Sequence, residues 1–213
     1  MKALKVIKRA SGQSQPGPTP TFSHVHVVRA IFVIAESPGI GRKRLAEALG
    51  VGEGVARTLL SRLRSEGLIE TNRTGCFLTK KAQTLQRELE LSISRPQQLN
   101  IKNTWPYLFS VGVIVKSAAN LVRRGLEQRD EAVRAGAGGA ITLVYHGGRL
   151  LMPGISDVSA EHSDFAKKVI EEMKPAEGDV IIISGAESLQ AAENGAIAAA
   201  LATLEQQKPE KTG

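Results

Sequence analysis

Residues 45–63 read LAEALGVGEGVARTLLSRL, two short helical runs separated by glycine-rich text. In the first run Leu45, Ala46 and Leu49 fall on one face. Gly50 then supplies a tight turn, where a side chain or a right-handed φ would obstruct the crossing of two helices. In the second run, a step of about 100° per residue gathers Ala56, Leu59, Leu60 and Leu63 on one side. The opposite side carries Gly54, Arg57, Thr58, Ser61, Arg64 and Ser65. That face is free of apolar side chains, basic and rich in small hydroxyls. It suits a helix lying in the major groove, where arginine pairs bidentately with guanine and Ser or Thr serves base or phosphate. Taken alone, Arg57 and Arg64 fit a solvated helix face better, the most common place of an exposed arginine. Their place after a helix-turn-helix and before a hairpin favours the groove.

The flanks extend this reading. Upstream, Ser23 is a suitable N-cap for HVHVVRAIFVIAE, apolar nearly all round as expected of a buried helix, which stops at Ser37-Pro38-Gly39. Downstream of Gly67, LIET and CFLT flank a turn at 72–75 and form a predicted hairpin over 68–79. This is the expected wing, with Arg73 at its tip, placed to enter a minor groove or touch the backbone. Arg42, Lys43 and Arg44 open the second helix and are expected on phosphates, contacts that fix register without carrying sequence information. A further helix, KKAQTLQRELEL, starts behind Thr79 as its cap. Cys76, in a wing strand, reads as a small strand residue rather than a redox sensor, because nothing marks its thiolate as stabilised. Residues 22–91 thus read as a winged helix-turn-helix. Its expected DNA contacts are Arg42, Lys43, Arg44, Gly54, Arg57, Thr58, Ser61, Arg62, Arg64 and Arg73.

Charge is distributed to match. Residues 1–90 carry 15 Lys+Arg against 7 Asp+Glu, a balance of +8, whereas the remainder of the 213 residues balances at −1. Phosphate neutralisation supplies most nucleic-acid affinity, so a basic part joined to a neutral one suggests a division of labour. With aromatics at only 4%, a stacking platform for single strands is disfavoured. No apolar run reaches the ~18 residues of a membrane span, and no apolar segment precedes a small-residue cleavage site. The single cysteine precludes an internal disulfide and a cysteine-built zinc site. A cytoplasmic, nucleoid-associated protein is expected. His24, His26, His146 and His162 lack metal-ligand spacing, so no metal is expected.

Residues 1–21 start basic (Lys2, Lys5, Lys8, Arg9) and continue as SGQSQPGPTPT, composition that predicts a flexible tail; 206–213 reads as another. Residues 92–106, with two prolines and little periodicity, read as a linker. Residues 107–205 alternate strand and helix. YLFSVGVIVK is a strand, a helix is predicted from Ser117 to about Ala135, and ITLVY–HGGR–LLMP is a hairpin turned on Gly147-Gly148. HSDFAKKVIEEM, DVIIIS and ESLQAAENGAIAAALATLEQQ complete the order β-α-β-β-α-β-α, which implies a mixed sheet with packed helices. The chain is therefore a two-domain α+β or α/β protein.

Three glycine-bearing loops in this half, 136–139, 146–148 and 184–187, are candidates for a small-ligand site. The last is placed between a strand and a helix N-terminus, where free N–H groups and the helix dipole favour anions. The candidate effector residues are Ser184, Gly185, Ala186 and Glu187, with Gly138 and Gly139; ordinary turn chemistry is the plain alternative. Nucleotide fingerprints are absent, and no cofactor is expected beyond an unidentified small effector. Arg123, Arg124, Arg129, Asp130 and Glu131 read as surface pairing more readily than as a ligand clamp. Ser184 has no arguable His–Asp partnership and no GxSxG context, so no enzyme is expected. The small residues of the last helix, among them Ala192, Ala196, Ala199 and Ala200, fit either the chain's own sheet or a two-fold contact. A homodimer is expected because one winged helix covers only a half-site.

The stretches IGRKRLAEALGVGEGVARTLLSRLRSEGLIE and GCFLTKKA resemble the winged-helix half of archaeal two-domain proteins described as transcriptional regulators. RDEAVRAGAGGAITLV, LLMPG and GDVIIISGAESLQAAENGAIAAAL extend the resemblance over about residues 24–204. Ala82 departs from it, standing where such wings often close with glycine. The resemblance implies a regulator that reads duplex DNA with the helix at 53–65 and the wing at 68–79, and it supplies no signal for the second domain. The alternative is a general nucleic-acid binder, architectural or RNA-associated, without sequence discrimination.

Overall fold

The computed structural model describes residues 2–12, 22–101 and 105–206. They belong to two units, Met1–Glu90 and Leu91–Gly213.

In the first unit, helix α1 (Lys2–Ser11) corrects the expectation of a tail over 1–21. Its sequence places Ala3, Ile7 and Ala10 on one stripe, and all three are buried. Three apolar residues at helical spacing outweigh the Ser/Pro-rich text that follows them; the rest of that text, 13–21, and the expected tail beyond 206 lie outside the described residues. Helix α2 (His24–Glu36) buries residues on every side, as predicted. Helices α3 (Arg42–Leu49) and α4 (Glu53–Ser65) follow, then strands β1 (Ile69–Asn72) and β2 (Gly75–Leu78), and helix α5 (Lys80–Glu90). Ala82, the departure noted above, is fully buried on α5, and the Thr79 hydroxyl accepts its N–H at 3.3 Å.

The second unit is a six-stranded sheet whose strands lie in the order β3 (Gln97–Gln98), β4 (Phe109–Val115), β8 (Val180–Ala186), β5 (Gly139–His146), β6 (Arg149–Met152) and β7 (Ser156–Asp157). Strand β3 (Gln97–Gln98) pairs on β4 (Phe109–Val115), and Ile93 bridges Val115. Residues 93–98 of the segment read as a linker are therefore an edge of this sheet, with Leu99 and Ile101 in the core; Pro96 stands immediately before the edge strand, where a missing N–H breaks no ladder. No helix runs on from Ser117. A 3-10 turn at Ala119–Leu121 leads to Gly125 (φ 76°), and helix α6 begins only at Leu126, ending at Arg134. Strand β5 (Gly139–His146) turns into β6 (Arg149–Met152) through Gly147 and Gly148, both at positive φ, the hairpin predicted.

Strand β7 (Ser156–Asp157), helix α7 (Val158–Glu161) and helix α8 (Ser163–Met173) precede β8 (Val180–Ala186), and helix α9 (Leu189–Glu205) follows it. Every strand pairing in this sheet is antiparallel, including both neighbours of β8. Strands β4 and β5 thus run parallel with β8 inserted between them, a split βαβ arrangement. Alternation along β8 sends Ile181 and Ile183 to a core with Phe165, Val169 and Met173 of α8, and Ser184 to the other face against Gly195 of α9. The small residues Ala192, Ala196, Ala199 and Ala200 are buried within this unit, where α9 packs on α6 and the sheet.

Candidate nucleic-acid interface

The helix-turn-helix is built from both ends of its turn. Gly50 closes α3 at φ 70°, its N–H donating to Ala46 and Glu47, and the N–H of Val51 also reaches Ala46 O. From α2, the buried guanidinium of Arg29 donates to Leu49 O and Ala48 O, each at 2.8 Å. A cation on the last carbonyls of α3 satisfies acceptors that the helix leaves open and complements its dipole. Arg29 is the positioning residue that sequence reasoning missed. Its signal was present: one arginine inside the otherwise apolar run HVHVVRAIFVIAE. On the same helix the Ser23 N–H donates to His26 Nδ1, a histidine standing where a capping box usually has Glu or Gln. Burial, then Arg29 and then His24 hold the His26 pKa below its ordinary value.

Leu45, Ala46, Leu49, Ala56, Leu59 and Leu63 are buried as predicted, with Leu60 partly so. On the outer face of α4, Gly54, Arg57, Thr58, Ser61, Arg64 and Ser65 are all exposed. Thr58 Oγ1 donates to Gly54 O at 3.1 Å and Ser65 Oγ to Arg62 O at 2.9 Å, so both hydroxyls present lone pairs outward as acceptors. A Cβ on Gly54 would meet nothing within 4 Å, so internal packing does not explain a glycine there. Two arginines depart from expectation. Arg62 turns away from this face and donates to Gly12 O at 2.6 Å, beside the Arg9–Glu66 ion pair that also ties α1 to the end of α4. Arg42 forms an ion pair with Glu53 at 3.4 Å. Lys43, Arg44, Arg57, Arg64 and Arg73 are exposed, with no ion pair among the described residues.

The wing is short and stiff. Asn72 Oδ1 accepts from Thr74 N at 2.8 Å and Gly75 N at 3.3 Å, fixing the turn that carries Arg73. Ile40 bridges Cys76 from the loop before α3, with N–H to O distances of 2.8 Å (Gly39 to Cys76) and 3.0 Å (Cys76 to Ile40). Gly75 (φ 137°) permits that approach, since a Cβ there would overlap the Gly39 carbonyl. Burial pushes the Cys76 thiol pKa up, the opposite of a stabilised thiolate.

In the second unit the predicted glycines do come together. Gly138 N–H donates to Gly185 O at 2.9 Å, and Gly139 faces Gly185 across the β5–β8 pair. Their role differs from an anion loop. A Cβ on Gly138, Gly139 or Gly185 would collide with Tyr107, and one on Gly185 with Trp105 as well. The bare backbone seats these two rings, whose centroids lie 5.4 Å apart. Ser184 is buried beneath α9, Ala186 is buried in β8 and Glu187 is exposed. The helix start is capped by Ser188, which accepts the Ala191 N–H at 3.2 Å. Ser184–Glu187 therefore does not form the helix-start cradle expected of it. Among the described residues no group of His, Cys, Asp and Glu could hold a metal, and no helix is long and apolar enough to cross a membrane.

Residues 25–84 match the family described as PH0730-like, N-terminal domain, and residues 108–204 match a domain of unknown function (DUF4443). The solved structure of hypothetical protein PH0730 from Pyrococcus horikoshii OT3 is similar at a TM-score of 0.68 and 27% identity, covering 87% of this chain and 99% of that one. No curated protein matches the chain.

Proposed function

We propose that the chain is a DNA-binding transcription regulator, nucleoid-associated and without enzymatic turnover. Its first unit reads duplex DNA with α4 and the wing, and its second unit dimerises and senses a small molecule. The outer face of α4 carries this reading. Arg57 and Arg64 stand there unpaired among the described residues, beside hydroxyl acceptors and a glycine that packing does not require. Arginine at such a face supplies bidentate donors to guanine, and Lys43, Arg44 and Arg73 supply phosphate contacts that set register. Selection of bound genomic fragments by the full chain, with Arg57→Ala in parallel, tests it. An enriched palindrome lost in the variant upholds a dimeric, sequence-reading regulator. Retention of all fragments alike, weakened equally by salt, replaces it with a non-specific nucleic-acid binder.

A further inference from the structure

Among the described residues, the side chains holding buried polar atoms without a partner are Trp105, Gln128, Thr142 and Ser184, all in the second unit. Buried polar groups are normally satisfied, and those that are not store strain or are completed by ordered water, an ion or a ligand. Two of the four, Trp105 and Thr142, line one cleft of about 330 Å³. Thr142 is only 3% exposed, and its side chain is aimed at the start of α6: a Cβ on Gly125 would come within 3.1 Å of Oγ1. Gln128, wholly buried with both amide atoms unpartnered, follows three residues later on the same helix.

The cleft has two kinds of wall. At one end stand Arg124, Gly125, Leu126 and Arg129, the first turn of α6 and two exposed guanidinium groups. The helix start has no side-chain cap, so its N–H groups and dipole are directed at whatever lies there. Arg124 has no ion pair among the described residues, and Arg129 only a loose one, 3.9 Å from Asp130. The other wall is Trp105, Tyr107, Ile141, Met152 and Ile155. Gly138 and Gly139, expected at a ligand site, lie in its floor. A concave, mostly apolar cleft with a few convergent polar groups is the usual form of a small-molecule site.

We infer that this cleft binds a small organic anion, its charged head held by Arg124, Arg129 and the start of α6 and its apolar body laid on Trp105 and Ile141. The Thr142 hydroxyl donates to the head, and the arginine fork fixes its plane. Two sensing routes are thereby separated. The ligand meets α6 and β5 directly and touches none of the loop at Ser184–Glu187.

Trp105 is the one tryptophan in the chain, so its fluorescence reports on this wall alone. The full chain is titrated at constant ionic strength with benzoate, with neutral benzamide as the uncharged isostere and with inorganic phosphate as a head without a body. Benzoate is expected to give a saturable change, at an affinity about tenfold or more above that of the other two. The Arg124→Ala/Arg129→Ala double variant, altered only at exposed side chains, should erase that preference and leave benzamide unchanged. Thr142→Val keeps the packing against Gly125; it should raise the melting temperature of the empty protein while weakening benzoate, a split that a structural threonine does not produce. Equal binding of benzoate and benzamide overturns the anion site, as does benzoate affinity unmoved by the double variant. So does no saturable change up to about 10 mM, tenfold above a millimolar dissociation constant. Phosphate binding as tightly as benzoate overturns the apolar body. The readout needs no DNA, so its failure leaves the reading of α4 standing, and failure of DNA selection leaves this site standing.

Discussion

Arg29 is buried among the apolar side chains of α2, and two carbonyls of α3 depend on it. Replacing it with methionine fills the volume and removes both donors. The expected loss is about 1.5–3 kcal/mol for each hydrogen bond to a charged group, less what Met recovers by packing; urea unfolding of the full chain measures it. The neighbouring His26 adds a pH dependence. Its folded pKa lies below the unfolded value near 6.5, so the unfolded chain binds more protons in that range. Stability is therefore complete above about pH 6.5 and declines as the pH falls through and below it. His26→Gln retains a capping-box acceptor without a titrating ring, and the melting curve of that variant should lose this acid limb. Gly54→Ala separates fold from function: it should stabilise α4 by up to about 1 kcal/mol and weaken duplex binding, because the Cβ enters only outside space. Arg57 and Arg64 are legible from helical periodicity alone, since exposure on a helix follows from the 3.6-residue repeat. The tasks of Arg62 and Arg42 are not. Their partners, Gly12 O and Glu53, lie 50 and 11 residues away, and spacing within one helix carries no information about them.

The elements divide in the same way. Helices α2 to α5 and the wing are legible because glycine turns, caps and a continuous apolar stripe all agree at each boundary. Helix α1 is hidden by its neighbourhood: ten residues of modest apolar content next to Ser/Pro-rich text look like a tail, and only burial against α2, α4 and α5 makes them a helix. Short helices draw most of their stability from such packing rather than from propensity. Ile7→Ala should consequently cost about 2–5 kcal/mol, as expected for a fully buried aliphatic side chain. A tail would show no change in the same thermal unfolding measurement. In the second unit the order of strands and helices is legible, but the sheet edge at 93–98 and the delayed start of α6 are not. Both depend on pairing or contact with residues far along the chain: Val115 receives Ile93, and Thr142 requires the bare Gly125. The ligand cleft shares this cause. Gly138 and Gly139 announce a close approach, but sequence alone cannot say that Tyr107 is what approaches.

For the whole molecule, the charge balance of +8 against −1 acquires a sharper meaning once paired side chains are set aside. Arg9, Arg42 and Arg62 are engaged within the first unit. Lys43, Arg44, Arg57, Arg64 and Arg73 remain exposed with no ion pair among the described residues. Each phosphate neutralised contributes about −0.9 to the slope of log affinity against log salt on duplex DNA. With Lys43, Arg44 and Arg73 on phosphate and Arg57 and Arg64 on bases, one chain gives a slope of about −2.7 and a two-fold dimer about −5.4. Contacts to bases release fewer counterions, so Arg57→Ala should lower affinity on the selected site with little effect on the slope. Arg73→Ala, at the wing tip, should reduce the slope by about 1 per chain while leaving the preference between sites nearly intact. Salt titrations of the full chain and these two variants, on a selected fragment and a scrambled duplex, measure each quantity. A slope near about −5.4 that falls by about 2 in the Arg73 variant requires two wings on one duplex. A slope of about −2.7 instead leaves one chain per site, and the dimer has to be abandoned even if the motif survives.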